Sequence, residues 1–251
     1  MMIDKSKLAI DIQGVDVHYH GFAALRDTSI QIEHGTFSGV IGMNGAGKST
    51  LFKVVMGLVR PTRGRAIVCE RTPRQAQKIG CVAYVPQSEQ VDWDFPISVY
   101  DVVMMGRYGA QNIFRSPRGD DRARVEGALE RVGMAEYRDR QIGELSGGQR
   151  KRVFVARALA QGAEILLLDE PFAGVDAKSE RALTELLVSF KAEGKTIILS
   201  THELTSLTEY CDHVALVKHT VVAYGPTEEV FTRDLVSHTY DGIVHRVAFA
   251  K

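Results

Sequence analysis

No apolar run in the 251 residues approaches the roughly 18–20 that a membrane-crossing helix needs. The first residues, Met1 to Lys7, carry charges with no apolar stretch behind them, so no secretory signal is expected. Cysteine is sparse: Cys69, Cys81 and Cys211 are odd in number and widely spaced. They match neither a disulfide framework nor a zinc knuckle, which points to a reducing cytosol. Net charge is missing too, since 31 Lys and Arg balance 31 Asp and Glu. A whole-molecule grip on anionic lipid is therefore not expected, and nucleic acid is not read as a partner. Local basic clusters remain at Arg115 to Arg124 and at Arg150 to Arg152. Internal repeats and low-complexity linkers are also lacking. What is present, 45% hydrophobic and 25% charged residues, is a normal globular mixture that excludes collagen-like and disordered chains. The length suits one large domain or two small ones.

Apolar runs alternate with helical patterns, the mark of an α/β protein on a largely parallel sheet. Phe37 to Ile41 reads as a buried strand, followed by a glycine loop and a helix from about Lys48 to Met56 that Gly57 terminates. Val82 to Val85 is a second strand, stopped by Pro86. Ile165 to Leu168 and Ile197 to Leu199 are continuous apolar runs, as expected of strands covered on both faces. Leu183, Leu186, Leu187 and Phe190 fall at helical spacing between Asp176 and Gly194. Ser88 to Gln161 differs in character, with helical patterns and no convincing strand. Ser98 and Asp101 form a capping box there, and Val125, Ala128, Leu129 and Val132 mark a helix ending at Gly133. This stretch reads as a helical subdomain inserted into the α/β core.

Three motifs carry chemistry. Gly42-Met-Asn-Gly-Ala-Gly-Lys48-Ser49 fits the pattern G-x-x-x-x-G-K-[ST] between a strand and a helix. Its glycines let backbone N–H groups wrap phosphates at a helix N-terminus. Lys48 is placed to reach the β- and γ-phosphates and Ser49 to ligate Mg²⁺. Ile165 to Leu168 then runs into Asp169 and Glu170, two acids at a strand end where open α/β sheets bind ligands. Asp169 suits support of Mg²⁺ and Glu170 the polarising of an attacking water. Leu145-Ser-Gly-Gly-Gln149 precedes a helical pattern running to about Ala160, with Ser146 as N-cap. It makes a second anion site at a helix terminus, one that fits a nucleotide held mainly by another chain.

With these motifs in this order, nearly the whole chain resembles the ATP-binding-cassette (ABC) ATPase family. The resemblance implies a P-loop NTPase fold with a RecA-like core, an N-terminal antiparallel β portion and the inserted helical subdomain. One cassette would then span 1–251, with its core at about 1–87 and 162–230, its helical lobe at 88–161 and a tail at 231–251. ATP would be held by Tyr19, stacking on adenine, and by Gly42, Asn44, Gly45, Ala46, Gly47, Lys48, Ser49 and Thr50. Glu170, His202 (the switch histidine) and Gln87 (the Q-loop glutamine) would be catalytic. Mg²⁺ would be held by Ser49, Gln87 and Asp169. Leu145, Ser146, Gly147, Gly148 and Gln149 would face the partner's nucleotide in a head-to-tail homodimer. Ala173 to Asp176 occupies the D-loop, where Val175 departs from the family's usual Leu and Asp176 is kept. A tyrosine face stacks a base without reading its identity, so preference for ATP over GTP is left open.

Only 58 positions (145 − 87) separate Gln87 from Leu145, too few for the long coiled coil of the DNA-repair branch. A transporter subunit with separate membrane partners is expected. Val91 to Tyr108 and Ala223 to Phe231 resemble ATPase subunits of bacterial manganese, iron and zinc importers, the first segment more the manganese/iron branch. That resemblance implies an integral membrane permease docking near Gln87 to Met105. Trp93, Phe95, Val102, Val103, Met104 and Met105 would form its apolar socket, or else subdomain core. It also implies an extracytoplasmic metal-binding protein acting indirectly, and a peripheral location on the cytoplasmic face of the cell (inner) membrane. The transported metal should not touch this chain, because no ligand spacing for it occurs. A zinc importer, a soluble ATPase of iron–sulfur assembly, and a nucleotide-dependent binding module with negligible turnover stay open. A P-loop GTPase is disfavoured because no Asn-Lys-x-Asp motif occurs.

Overall fold

The computed structural model describes residues 8–87, 95–111, 116–204 and 207–242. Among the described residues nine strands are formed: β1 (Leu8–Tyr19), β2 (Phe22–Glu33), β3 (Phe37–Ile41), β4 (Arg63–Val68), β5 (Val82–Val85), β6 (Ile165–Asp169), β7 (Thr196–Thr201), β8 (His213–Val217) and β9 (Val221–Pro226). The α-helices are α1 (Lys48–Val55), α2 (Pro73–Lys78), α3 (Val99–Met104), α4 (Gly119–Arg131), α5 (Gly147–Gln161), α6 (Ala177–Ala192), α7 (Leu207–Tyr210), α8 (Thr227–Val230) and α9 (Arg233–Thr239). None of the described helices is long and apolar enough to cross a membrane.

The strands build two sheets, an antiparallel one in the order β2-β1-β4 and a larger one in the order β5-β6-β7-β3-β8-β9. Within the larger sheet β5, β6, β7, β3 and β8 run parallel and only β9 is antiparallel. All the parallel strands therefore end at one edge. The loop after β3, Gln87 beyond β5, Glu170 beyond β6 and His202 beyond β7 are delivered there together. The reversal of strand order at β3 is also where open α/β sheets leave a crevice for ligands.

The continuous apolar runs have a direct explanation in the period of two along a strand. Leu166, Leu168, Ile197, Leu199, Val214 and Leu216 turn to one face and pack with helices α3 to α6. Ile165, Leu167, Ile198, Ala215 and Val217 turn to the other, against β1, β2, β4 and α1. Both faces are dry, so alternation with polar residues disappears. Each such Leu or Ile contributes roughly 1.5–3 kcal/mol by leaving water.

Helix boundaries follow their caps. Ser98 accepts a bond from the Asp101 N–H to start α3, Ser146 and Gln149 form a reciprocal capping box on α5, and Asp176 accepts from Lys178 and Ser179 to start α6. Gly57, at φ 68°, ends the turn after α1. No strand occurs among the described residues between 95 and 161; α3, α4 and α5 pack on one another there. At the C-terminal end Phe231 and Val236 are buried in the same core as α3 to α6.

One expectation is overturned. Cys69 and Cys81 are joined by a disulfide, while Cys211 is free and buried. Cys69 lies in the turn after β4 and Cys81 just before β5, with Cα atoms 6.8 Å apart. A separation of 12 positions suggested no pairing, because the return of the chain alongside itself through α2 is a tertiary event.

Candidate functional site

Between β3 and α1 the chain turns sharply around residues 42–47. Gly47 has φ 104°, and a Cβ there would stand 2.7 Å from the Ala24 carbonyl oxygen, so a side chain is excluded. Lys48 folds back over the loop, its Nζ donating to the carbonyls of Gly42 at 2.8 Å and Met43 at 3.2 Å. Burial lowers the ammonium's pKa, and the charges of Glu170 and Asp169 oppose that fall. A cavity of about 310 Å³ opens above the loop, lined by Ala24, Asn44, Gly45, Ala46, Gly47, Lys48, Ser49, Thr50, Gln87 and Glu170. A helix N-terminus, a ring of small residues and a lysine make this a polyanion cradle.

The wall opposite Lys48 is built by β5, β6 and β7. Asp169 is 2% exposed and is held from two sides. The Tyr84 hydroxyl donates to its Oδ2 at 3.0 Å, and the Ser200 hydroxyl donates to its Oδ1. Burial first, and then the Asp169 charge, push the Tyr84 hydroxyl pKa up, so it stays a donor. Ser200 also receives the Glu170 N–H, on Oγ at 3.1 Å and on its carbonyl at 3.2 Å. Glu170 itself has φ 47°, a left-handed conformation that strains an L residue. That turn aims the carboxylate into the cavity. Gln87 Nε2 lies 3.3 Å from its Oε2 and His202 Nδ1 3.4 Å from its Oε1. Gln87 and His202, each from a different loop, thus meet at the Glu170 carboxylate.

The remaining candidates lie outside this lining. Tyr19 stands 38% exposed at the end of the β1–β2 hairpin. Leu145 is buried, and Ser146 to Gln149 begin α5 against the loop that carries Asp176. Gly148 is obligatory in that contact, since a Cβ would come within 2.7 Å of the Ser179 Cβ. Asp176 is engaged as the N-cap of α6. None of Leu145 to Gln149 lines the cavity above the glycine loop.

The expected apolar socket is partly corrected. Val102, Val103 and Met104 are core, each no more than 5% exposed, because α3 turns that face onto α4 and α5. Phe95 and Met105 do face outward, and Trp93 lies outside the described residues. Met105 joins a groove of about 320 Å³ whose other wall is Met56, Gln77, Lys78, Ile79 and Gly80. Ile79 is 60% exposed there.

Sequence reading missed three residues of the site. Tyr84 and Ser200 stand on strands flanking β6, and a hydroxyl in an otherwise apolar strand end was the available signal. The third is Lys151 on α5, 3% exposed, with Nζ donating to the Glu170 carbonyl at 3.3 Å. Burial lowers its pKa against the pull of Asp169 and Glu170. A lysine on the buried face of a helix was the signal in that case.

Comparison with known proteins agrees with this geometry. The family model described as ABC transporter matches residues 25–173. The ATP-binding protein of a manganese transport system from Synechocystis sp. is 51% identical over 95% of this chain and 92% of its own length. A chelated iron transport system membrane protein of Yersinia pestis is 51% identical over 94% of this chain and 80% of its own. Among solved structures, a metal-chelate-type ABC transporter in an inward-facing conformation superposes with a TM-score of 0.83 at 26% identity, covering 93% of this chain and 88% of that one. With cradle, acidic wall and LSGGQ segment in these positions, the chain belongs to the ABC transporter family as a nucleotide-binding ATPase cassette.

Proposed function

We propose that this chain is the ATP-hydrolysing subunit of a binding-protein-dependent importer of divalent metal ions, manganese and/or iron. The names of the relatives support the substrate class. The observation that carries the mechanism is the meeting of Gln87, Glu170 and His202 at the mouth of the Lys48 cradle, with Ser146 to Gln149 outside its lining.

In this reading the cradle residues Gly42 to Thr50 bind the phosphates of ATP, and Tyr19 stacks on its base. Glu170 accepts a proton from the water that attacks the γ-phosphate, and the displaced phosphate leaves with ADP. His202 donates to a γ-phosphate oxygen, and Gln87 orients the water. Ser49 and Gln87, which line the cavity, and Asp169, next to Glu170, would supply hard oxygen donors of the kind Mg²⁺ takes. When bound, the ion would neutralise charge on the β- and γ-phosphates.

A segment that binds phosphate yet does not line its own cradle suits a head-to-tail homodimer. Leu145 to Gln149 of each subunit would close the other's ATP, with Asp176 at the seam. Nucleotide then joins the two halves, and hydrolysis releases them, a two-state switch that moves the permease. The permease docks in the groove between Ile79 and Met105, on the cytoplasmic face of the cell membrane. An extracytoplasmic metal-binding protein delivers the ion, which does not touch this chain.

The deciding experiment is isotope uptake in a strain lacking the protein, complemented by the parent gene or by Glu170→Gln. Manganese and iron uptake should be lost in the deletion and restored by the parent alone. Retained manganese and iron uptake with lost zinc uptake would overturn the substrate assignment.

A further inference from the structure

The disulfide between Cys69 and Cys81 has no part in nucleotide chemistry, yet its placement is specific. Val68 and Arg71 exchange both backbone hydrogen bonds, at 2.8 and 3.0 Å, which makes Cys69 and Glu70 the two central residues of a tight turn. Both have positive φ, 47° and 59°. That conformation favours Asn-Gly or Asp-Gly, because an L side chain strains it. The strained turn presents the Cys69 sulfur to Cys81, whose backbone is fixed by Ala76 on one side and by Glu164 and Ile165 on the other.

The bond closes the loop that carries α2. This helix has six residues, of which only Ala76 is buried, so its own packing anchors it weakly. Gln77, Lys78, Ile79 and Gly80, all inside the loop, form one wall of the groove facing Met105. We infer that Cys69 and Cys81 form a reversible thiol–disulfide exchange site, open to low-molecular-weight disulfides and thiols, whose bond holds the Gln77–Gly80 wall of the groove in place. The functional consequence rests on the reading of that groove as the permease dock.

The chemistry balances without a cofactor. On oxidation the two cysteines together give up two protons and two electrons. One cysteine thiolate attacks the small disulfide and expels the first small thiol. The other cysteine then attacks the mixed disulfide and expels the second, so the small disulfide takes up both electrons and both protons. On reduction an incoming thiolate attacks Cys69, the less buried of the two residues, and Cys81, 6% exposed, departs. A second thiol then resolves the mixed disulfide. The Glu164 carboxylate and both sulfurs lie within 4.8 Å of one another. Its negative charge opposes thiolate formation and so slows departure of Cys81. Lys195, which interacts electrostatically with Glu164, acts in the opposite sense.

The test uses the purified full chain in glutathione/glutathione disulfide mixtures, alkylated after denaturation and weighed. Three thiols are expected at the reducing end and one, Cys211, at the oxidising end, with Cys69 and Cys81 peptides linked. Hydrogen exchange across residues 70–80 should quicken several-fold on reduction, and Cys69→Ser should make that segment insensitive to redox state. Glu164→Gln should speed reduction several-fold. Three free thiols at every mixture, or exchange in 70–80 that ignores the bond, would overturn the inference. So would stoichiometric protection of both reduced cysteines by Zn²⁺ that is lost in Glu164→Gln, which would make this a metal site instead. The parent titration stands even where Cys69→Ser fails to fold. These measurements need no permease, so the redox tie and the docking reading fail independently.

Discussion

The Tyr84 hydroxyl donates a hydrogen bond to Oδ2 of Asp169 at 3.0 Å, across the seam between β5 and β6. The Ser200 hydroxyl takes the other carboxylate oxygen from β7. The acid at the strand end is therefore aligned by both neighbouring strands, and its orientation is built into the sheet. A hydrogen bond to a charged group is worth ~1.5–3 kcal/mol. Tyr84→Phe should thus lower ATP turnover about tenfold at limiting Mg²⁺. Excess Mg²⁺ should recover much of that loss, while the melting midpoint should fall by several degrees because the bond is also lost from the fold. Steady-state phosphate release across a Mg²⁺ titration checks this, and a parent-like curve would remove Tyr84 from the site.

Glu170→Gln keeps size and hydrogen bonding to Gln87 but cannot accept a proton. A general base supplies about 10²- to 10⁴-fold in rate, and turnover should fall within that range. ATP binding should survive, so a dimer should accumulate in ATP and be visible by size-exclusion chromatography. A variant hydrolysing at the parent rate would show that another group activates the water.

These two residues also mark how far the sequence could be read. Glu170 was legible because its motif is local: an apolar strand, two acids, and a glycine loop of known spacing elsewhere. Tyr84, Ser200 and Lys151 were not, because their approach to Asp169 and Glu170 depends on the strand order β5-β6-β7 and on where α5 lies. Met104 and Met105 show the same limit. Both are apolar and adjacent, and only the rotation of α3 makes one core and the other surface. The Cys69–Cys81 bond is hidden for a related reason, since the two sulfurs are neighbours only in the folded arrangement of β4, α2 and β5.

The groove between Ile79 and Met105 gives a direct test of docking. Ile79 is 60% exposed, so Ile79→Glu removes no core contact and should leave ATPase activity of the isolated chain near the parent value. Co-purification with the permease in detergent should be lost, because burying an unpaired carboxylate in an apolar contact is costly. Unchanged capture would move the dock elsewhere.

Gly148 tests the fit of α5 on the first turn of α6. A methyl group there meets Ser179 Cβ at 2.7 Å and its Oγ at 2.8 Å. Overpacking of this kind costs roughly 1–3 kcal/mol. For a chain of this size each kcal/mol lowers the melting midpoint by about 2–4 °C. Gly148→Ala should therefore melt several degrees early, and adding Ser179→Gly should restore part of the loss by removing the opposing carbon. Absence of any rescue would place the strain somewhere other than this contact.

Asp121 ties the start of α4 to the end of α5 and to the rim of the groove. Its carboxylate accepts from the Arg118 N–H at 2.9 Å and from Arg107 Nε at 2.9 Å, while Arg107 also donates to the Ala160 carbonyl at 2.9 Å. The Arg118 bond, then Arg107 against the opposing effect of burial, hold its pKa below the ordinary carboxylate value. A depressed carboxylate stabilises the fold above its unfolded-state pKa, about 3.9, and loses that contribution as pH falls through the folded-state value. Asp121→Asn should accordingly melt below the parent at pH 7. The gap should close in acid, from about pH 4 downward, as the parent's own carboxylate takes up a proton. Melting curves of both proteins from pH 7 to pH 3 decide the matter, and a gap that stays constant would mean that Asp121 acts through shape and not through charge.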